Sequence, residues 1–118
     1  MPLEKDIAAL NRDFADAYRG LDFVRLRQLY VDDAMAVWPG HPLVHGADAI
    51  VAGLREQAGA GPVTLGFQSV RSWESGDLVV DVGTWTVDGQ EGRGKYVVVL
   101  ARQADGSLKL LVDCPLES

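Results

Sequence analysis

The chain has 118 residues, of which 47% are apolar, 24% are charged and 13 are glycine. This size and balance predict one globular domain, residues 1–118, with a single core that needs no disulfide or structural metal. The 17 acidic and 11 basic residues give a formal net charge of −6. We therefore expect no nucleic-acid partner, because no basic face is available for a phosphate backbone.

The chain carries one cysteine, Cys114, which cannot form a disulfide within the chain. A lone cysteine agrees with a reducing compartment and excludes a cysteine metal cluster. No apolar run approaches the roughly 18 residues that a membrane span requires. We therefore expect a cytoplasmic protein that does not interact with membranes.

The first half of the chain predicts three helices and two short extended segments. An apolar stripe at spacings of three and four predicts a helix over residues 3–19, and Asp22 is placed to cap a second helix over 23–30. Asp32 and Asp33 predict a turn, after which residues 34–38 and 43–45 are expected to be extended. The pattern of residues 47–57 predicts the third helix.

The second half predicts four strands, over residues 63–73, 78–87, 95–103 and 108–114. The connections contain Gly76, Asp88-Gly89 and Gly106, which are typical of antiparallel hairpins. Several strands are apolar on both faces, so we expect helices on one face and a second subunit on the other. Three helices followed by a curved antiparallel or mixed sheet predict an α+β cone that wraps the first helix and encloses a pocket.

Four segments in this order resemble one known superfamily. They are residues 30–34 (YVDDA), 44–50 (VHGADAI), 81–85 (DVGTW) and 94–99 (GKYVVV). The sequence is similar to the nuclear transport factor 2-like superfamily, and within it to the SnoaL-like and ketosteroid-isomerase-like branch. The resemblance implies a cystatin-like roll whose pocket binds a small molecule. Proteins with this fold include both enzymes and non-catalytic binding modules.

The resemblance also shows which groups of the ketosteroid isomerases are absent. The helix-one tyrosine of that family falls on Phe14, its proton-moving aspartate on Trp38, and its strand aspartic acid on or near Val99. A steroid-isomerase mechanism is therefore not expected.

Asp81 is the first predicted catalytic residue. Strand parity places it inward together with Val79, Gly83 and Trp85, where an ionised carboxylate would be costly, as suits a general base or a neutral donor. The alternative is a β-bulge that turns Asp81 toward solvent. Tyr18 is the second predicted catalytic residue, because it lies four residues after Phe14 on the same face of the helix and can supply a hydroxyl donor. The alternative is that Tyr18 only packs in the core.

The predicted ligand-binding residues come from both halves of the chain. They are Phe14, Trp38, His41, Leu54, Trp85, Lys95, Val97, Val99 and Asp113. A simple register of the Asp88-Gly89 hairpin places Lys95 across from Trp85, where it either clamps an anionic ligand or covers the indole from the rim. The parity of Asp113 leaves it either at the pocket floor or in an interface.

His41 and His45 do not predict a metal site, because a Pro-Gly loop does not aim both rings at one point. His41 is expected at the mouth of the cone, as a titratable group or a surface residue. No cofactor is implied.

Two functional hypotheses follow. The first is a homodimeric small-molecule-binding domain whose pocket performs acid–base chemistry of an isomerase, cyclase or hydrolase type on a hydrophobic cyclic or carbonyl compound. The second is a non-catalytic dimeric module that uses the outer face of its sheet, with Tyr96, Val98 and Leu100 in the dimer interface.

Overall fold

The computed structural model describes residues 2–59, 61 and 63–117 of the chain. The helices are α1 (Pro2–Arg19), α2 (Phe23–Gln28) and α3 (Ala47–Ala58). The strands are β1 (Tyr30–Ala36), β2 (Val44–His45), β3 (Leu65–Ser75), β4 (Leu78–Val87), β5 (Gln90–Arg102) and β6 (Leu108–Glu117).

The strands form one six-stranded mixed sheet in the order β2-β1-β6-β5-β4-β3. Strands β3 to β6 pair antiparallel in sequence order, and β1 joins the sheet parallel to β6. The helices pack against this open sheet, so the predicted α+β architecture is confirmed. None of the helices within the described residues is long and apolar enough to cross a membrane.

The helices follow the predicted pattern closely. The stripe on α1 buries Ile7, Leu10, Ala17 and Tyr18 in the core. The carboxylate of Asp22 accepts a hydrogen bond of 3.1 Å from the Arg25 backbone N–H and so caps α2, as predicted. Helix α2 ends earlier than predicted, at Gln28.

The predicted turn at Asp32 and Asp33 is wrong, because both residues lie within β1. The strand begins at Tyr30, whose side chain is fully buried, and it pairs with Leu110 of β6 from its first residue. The two aspartates are exposed, and Asp32 accepts a hydrogen bond of 2.9 Å from Arg27. Their polarity therefore reflects solvent exposure on a strand and not a chain reversal.

The predicted hairpins are confirmed by backbone geometry. Asp88 and Gly89 have φ values of 52° and 77°, as a two-residue turn between β4 and β5 requires. Gly76 and Gly106 also adopt positive φ at the other two connections.

The register of β4 and β5 corrects three predicted pocket residues. An irregularity between the pairs of Trp85 and Val87 shifts the ladder, so that Gly94 lies opposite Trp85 and Lys95 opposite Thr84. A shift of one residue exchanges the two faces of a strand. The placement of Lys95, Val97 and Val99 in the pocket is therefore wrong, and these three residues lie on the outer face.

The same shift brings the alternate residues of β5 to the inner face. Tyr96, Val98 and Leu100 are buried in the core. The expectation that they form a dimer interface is therefore wrong.

The orientation of Asp113 is decided by a second irregularity, on β6. Val99 pairs with Val112, but Leu100 pairs with Leu110, so Leu111 is an extra residue in the ladder. Such a bulge reverses the alternation of the strand that carries it. Asp113 pairs with the inward-facing Val98 and thus points to the inner side of the sheet.

Candidate functional site

A cavity of about 330 Å³ lies between the inner face of the sheet, α1 and α3. Its aromatic lining consists of Phe14, Tyr18, Trp38, Phe67, Trp85 and Tyr96. Its polar lining consists of Asn11, His41, Gln57, Asp113 and Glu117, and aliphatic side chains and prolines form the rest. A small apolar hollow with a few polar groups is typical of a small-molecule site.

Seven of the predicted site residues meet at this cavity. They are Phe14, Tyr18, Trp38, His41, Leu54, Trp85 and Asp113. Lys95, Val97 and Val99 do not line it, for the reason of register given above, and neither does Asp81.

Asp113 is the carboxyl group at the floor of the cavity. The Tyr30 hydroxyl donates a hydrogen bond of 2.8 Å to its Oδ2, and the Trp38 side chain donates a second hydrogen bond. Burial raises the pKa of Asp113, and the two donors offset this effect only in part. The pKa of Tyr30 is well above its ordinary value because of burial and the adjacent carboxyl, so Tyr30 remains a donor.

Glycine in α3 makes room for Trp38. A Cβ atom at Gly53 would lie 2.5 Å from Cζ3 of the Trp38 ring, well inside contact distance. The indole therefore packs directly on the helix backbone, which fixes the ring beside Asp113.

We expect Gly53→Ala to displace Trp38 and weaken its hydrogen bond to Asp113. The added methyl contributes about 1 kcal/mol of helix propensity, but overpacking costs about 1–3 kcal/mol. The expected result is a net loss of stability in urea denaturation, together with a shifted NMR signal of the Trp38 indole N–H. A more stable protein with an unchanged indole signal would contradict this packing.

Asp81 faces inward, as predicted, but hydroxyl groups enclose its carboxylate. The residue is 1% exposed, and the Tyr96 hydroxyl donates a hydrogen bond of 2.7 Å to Oδ2. The Ser69 hydroxyl donates to Oδ1. The expected apolar surroundings of Asp81 are therefore wrong, and the carboxylate is separated from the cavity by Tyr96.

The approach of Tyr96 to Asp81 depends on a glycine. A Cβ atom at Gly83 would lie 2.6 Å from the Tyr96 Oη. Burial and the hydrogen bond to Asp81 raise the pKa of Tyr96, so its proton stays directed at Asp81. Tyr96 thus lines the cavity while its hydroxyl is directed at Asp81.

Tyr18 and His41 lie at the cavity with different surroundings. Burial raises the pKa of Tyr18, and its hydroxyl has no hydrogen-bond partner among the residues described. Such a hydroxyl can donate to a ligand. His41 is exposed at the rim and contacts the Trp38 ring edge-on, with 6.3 Å between centroids.

His45 is exposed on β2 and lies away from this cavity. Within the part of the chain that the structure describes, no group of three or more His, Cys, Asp or Glu side chains could hold a metal ion.

The sequence did not identify Tyr30 or Tyr96 as site residues. Tyr30 and Asp113 are 83 positions apart, and their contact depends on the parallel pairing of β1 with β6. No local sequence pattern predicts which two strands pair. The buried tyrosine at the start of β1 was visible only as an apolar position at the end of α2.

The pKa of Asp113 predicts a pH dependence of stability. The pKa of Asp113 is higher in the folded state than in the unfolded chain. The neutral carboxyl therefore contributes fully to the free energy of unfolding below about pH 3.9, and this contribution is lost as the pH rises through the folded-state pKa. The asparagine of Asp113→Asn does not titrate in this range. As the pH rises, the free energy of unfolding of this variant should therefore increase relative to that of the parent. Urea denaturation across the window checks the difference, and a difference that is constant with pH would contradict the expected titration.

The fold and the cavity together define the class of protein. An open curved sheet that encloses an apolar cavity beneath α1 is the architecture of the nuclear transport factor 2-like proteins. The family model of the SnoaL-like domain matches residues 11–110, and the chain belongs to this family.

Solved structures share this fold at low sequence identity. An NTF-2 like protein of unknown function from Shewanella oneidensis MR-1 is 19% identical, with a TM-score of 0.80 and 98% of each chain covered. A ketosteroid isomerase-like protein from Erwinia carotovora atroseptica is 20% identical, with a TM-score of 0.69, covering 94% of this chain and 92% of that one. ActVI-ORFA from Streptomyces coelicolor is 16% identical, with a TM-score of 0.76, covering 100% of this chain and 98% of that one. No curated protein is significantly similar in sequence.

Proposed function

We propose that this SnoaL-like protein binds a hydrophobic cyclic or carbonyl compound in the cavity and catalyses a proton transfer on it, with Asp113 as the acid–base group. The observation that carries this proposal is the Asp113 carboxyl, which lines an aromatic cavity and has a raised pKa. A carboxyl with a raised pKa exchanges protons more readily near neutral pH than an exposed aspartate does.

The arrangement suits a carbon acid next to a carbonyl group. Asp113, when ionised, accepts the proton from carbon, and the Tyr18 hydroxyl donates a hydrogen bond to the carbonyl oxygen as negative charge develops. The protonated Asp113 then returns the proton to a second position of the ligand. Tyr30 and Trp38 hold the carboxyl in place during both steps.

The ligand class follows from the lining. Flat aromatic walls from Phe14, Phe67 and Trp85 favour a planar or cyclic apolar body. The resemblance of the fold to a ketosteroid isomerase-like protein is consistent with such a ligand.

A thermal-shift screen of cyclic ketones, small acids and polyketide-like rings tests the proposal. A ligand at 100 times its dissociation constant adds about 2.7 kcal/mol to the free energy of unfolding. Each hit is then incubated in deuterated water, and exchange or rearrangement of its acidic C–H is followed by NMR. Hits that bind without any exchange above the buffer rate would support the second hypothesis, a non-catalytic binding module.

We further propose that the protein is a homodimer through the outer face of the sheet. Apolar side chains of β4, β5 and β6 lie together on this face, among them Val80, Val82, Val97 and Val112. Val97 is 38% exposed and Leu116 is 39% exposed. A two-fold axis through such a surface buries the same patch on both copies.

Val97→Lys is expected to shift the protein from dimer to monomer in sedimentation equilibrium, because the interface would bury an unpaired charge. Val24→Lys is the matched control, since Val24 is 74% exposed on α2 and away from the sheet. A monomeric parent, or a Val97→Lys variant that remains dimeric, would contradict this interface.

A further inference from the structure

The inner face of β6 places two carboxyl groups along the cavity. Asp113 pairs with Val98 of β5. Glu117 pairs with Gly94, and the unbroken alternation between them keeps both side chains on the inner face. Both residues line the cavity. Four residues of strand span about 13 Å, so one carboxyl group lies at the floor and the other at the opposite end of this wall.

The register determines the sign of the charge that a ligand meets beside Glu117. Lys95 was expected to reach this end of the cavity, where it would hold an anionic ligand. It pairs with Leu116, and both side chains lie on the outer face. Apart from the imidazole of His41 at the rim, the described lining of the cavity contains no basic side chain. An inward glutamate therefore takes the place of the expected lysine.

An aromatic ring lies next to Glu117. Trp85 and Glu117 both pair with Gly94, which lies between them in the sheet. A Cβ atom at Gly94 would overlap Nε1 and Cε2 of the Trp85 ring, so the indole occupies the space over this glycine. The indole N–H is 3.1 Å from the carbonyl oxygens of both Lys95 and Leu116 and donates to them, which fixes the ring. A carboxylate and an aromatic ring side by side attract an ammonium group.

Glu117 and Tyr18 both have polar groups available to a ligand. The Glu117 carboxylate is exposed and has no hydrogen bond or ion pair with any residue in the described ranges. The Tyr18 hydroxyl also has no such partner, although Tyr18 is only 6% exposed. No fully buried side-chain oxygen among the described residues lacks a partner, so the Tyr18 oxygen is reached from the cavity. The cavity thus offers a donor for a carbonyl oxygen and an anion for a cation.

We propose that the ligand of this cavity is an amino ketone, whose protonated amine lies at Glu117 and Trp85 and whose carbonyl part lies at Asp113. This inference rests on the proposed function, which places a carbonyl compound in the same cavity. Glu117 is then a specificity-determining residue. Its carboxylate pairs with the ammonium group, and the Trp85 ring adds a cation–π interaction. A ligand with a carboxylate at this position is repelled.

Three matched 1-tetralones, which carry an aminomethyl, an ethyl or a carboxylate group at position 6, test the proposal. They share the ring and the ketone and differ in the charge of the substituent. Their dissociation constants are measured by NMR titration at about pH 8, where an ordinary histidine side chain is uncharged, and at constant low ionic strength. The amine is expected to bind about 3- to 30-fold more tightly than the ethyl compound, and the carboxylate most weakly.

Glu117→Gln should reduce the preference for the amine over the ethyl compound by about two- to fivefold and should improve binding of the carboxylate. Glu56→Gln is the matched control, because Glu56 is an exposed glutamate of α3 that does not line the cavity. Its three dissociation constants should equal those of the parent. Glu117 is exposed as well, and the urea midpoint of each variant confirms that it folds.

Equal binding of the amine and the ethyl compound, or a preference for the amine that Glu117→Gln leaves unchanged, would overturn this inference. The ethyl compound tests the proposed function separately, because it is uncharged and its C–H next to the ketone can be followed by exchange in deuterated water. Exchange of this C–H without a preference for the amine would support the proposed function and remove Glu117 from ligand recognition. If none of the three ketones binds, the ligand class of the proposed function fails, and this inference fails with it.

Discussion

Asp113→Asn is expected to lower the rate of proton exchange on a bound ligand by roughly 10²–10⁴-fold, the usual contribution of a positioned acid–base group. Asparagine preserves the shape of the side chain and can still accept the hydrogen bond from Tyr30, but it cannot take up a proton. Ligand binding should therefore change little. The measurement is the exchange rate by NMR, with the dissociation constant determined on the same sample.

Asp33→Asn is the control for this experiment. Asp33 is an exposed aspartate of β1 that lies outside the cavity, so its substitution removes one carboxylate and leaves the site unchanged. Its exchange rate should match that of the parent. An Asp113→Asn variant with the rate of the parent would remove Asp113 from the mechanism.

Asp81→Ala is expected to destabilise the protein by about 2–3 kcal/mol without the same effect on chemistry. The substitution leaves the buried Tyr96 hydroxyl without its acceptor and frees Ser69 on the edge strand. Asp81→Asn should cost less, because its amide can still pair with a hydroxyl. Urea denaturation measures both losses.

Asp16→Ala serves as the comparison for Asp81→Ala, since Asp16 is exposed on α1. Its expected change is within about 0.5 kcal/mol, as is usual for surface sites. If Asp81→Ala were as stable as Asp16→Ala, the hydrogen bonds of Asp81 would not support the fold. If it abolished exchange on a ligand that it still binds, Asp81 and not Asp113 would be the acid–base group.

Local patterns were sufficient to predict the elements of this fold. The stripe of α1, the cap at Asp22 and the turn at Asp88-Gly89 depend on neighbouring residues only, and the structure contains all three. The aromatic positions of the pocket, such as Phe14 and Trp85, followed from these elements and from the family resemblance.

The wrong site residues have a single physical cause, which is the register of the ladders. A shift of one position between β4 and β5 moved Lys95, Val97 and Val99 to the outer face. The extra residue at Leu111 turned Asp113 inward, a choice that alternation along β6 left open. Bulges change which face a side chain occupies, and their positions depend on tertiary packing that a strand sequence does not contain.

The choice between the two carboxylates also needed tertiary contacts. Asp81 and Asp113 are both inward aspartates, on β4 and β6, the two strands that flank β5. Asp81 is enclosed by Ser69 and Tyr96, whereas Asp113 is reached from the cavity and is held by Tyr30. The partners of each group lie on other strands, so only the folded chain distinguishes a structural carboxylate from a candidate acid.

The crystal structure of the protein with a hit from the ligand screen tests the central proposal most directly. We predict a ligand in the cavity beneath α1, with a polar or acidic atom within about 3.2 Å of the Asp113 carboxyl and its ring against Trp85. A ligand found only on the outer face of the sheet, or a cavity closed by its own aromatic side chains, would contradict it.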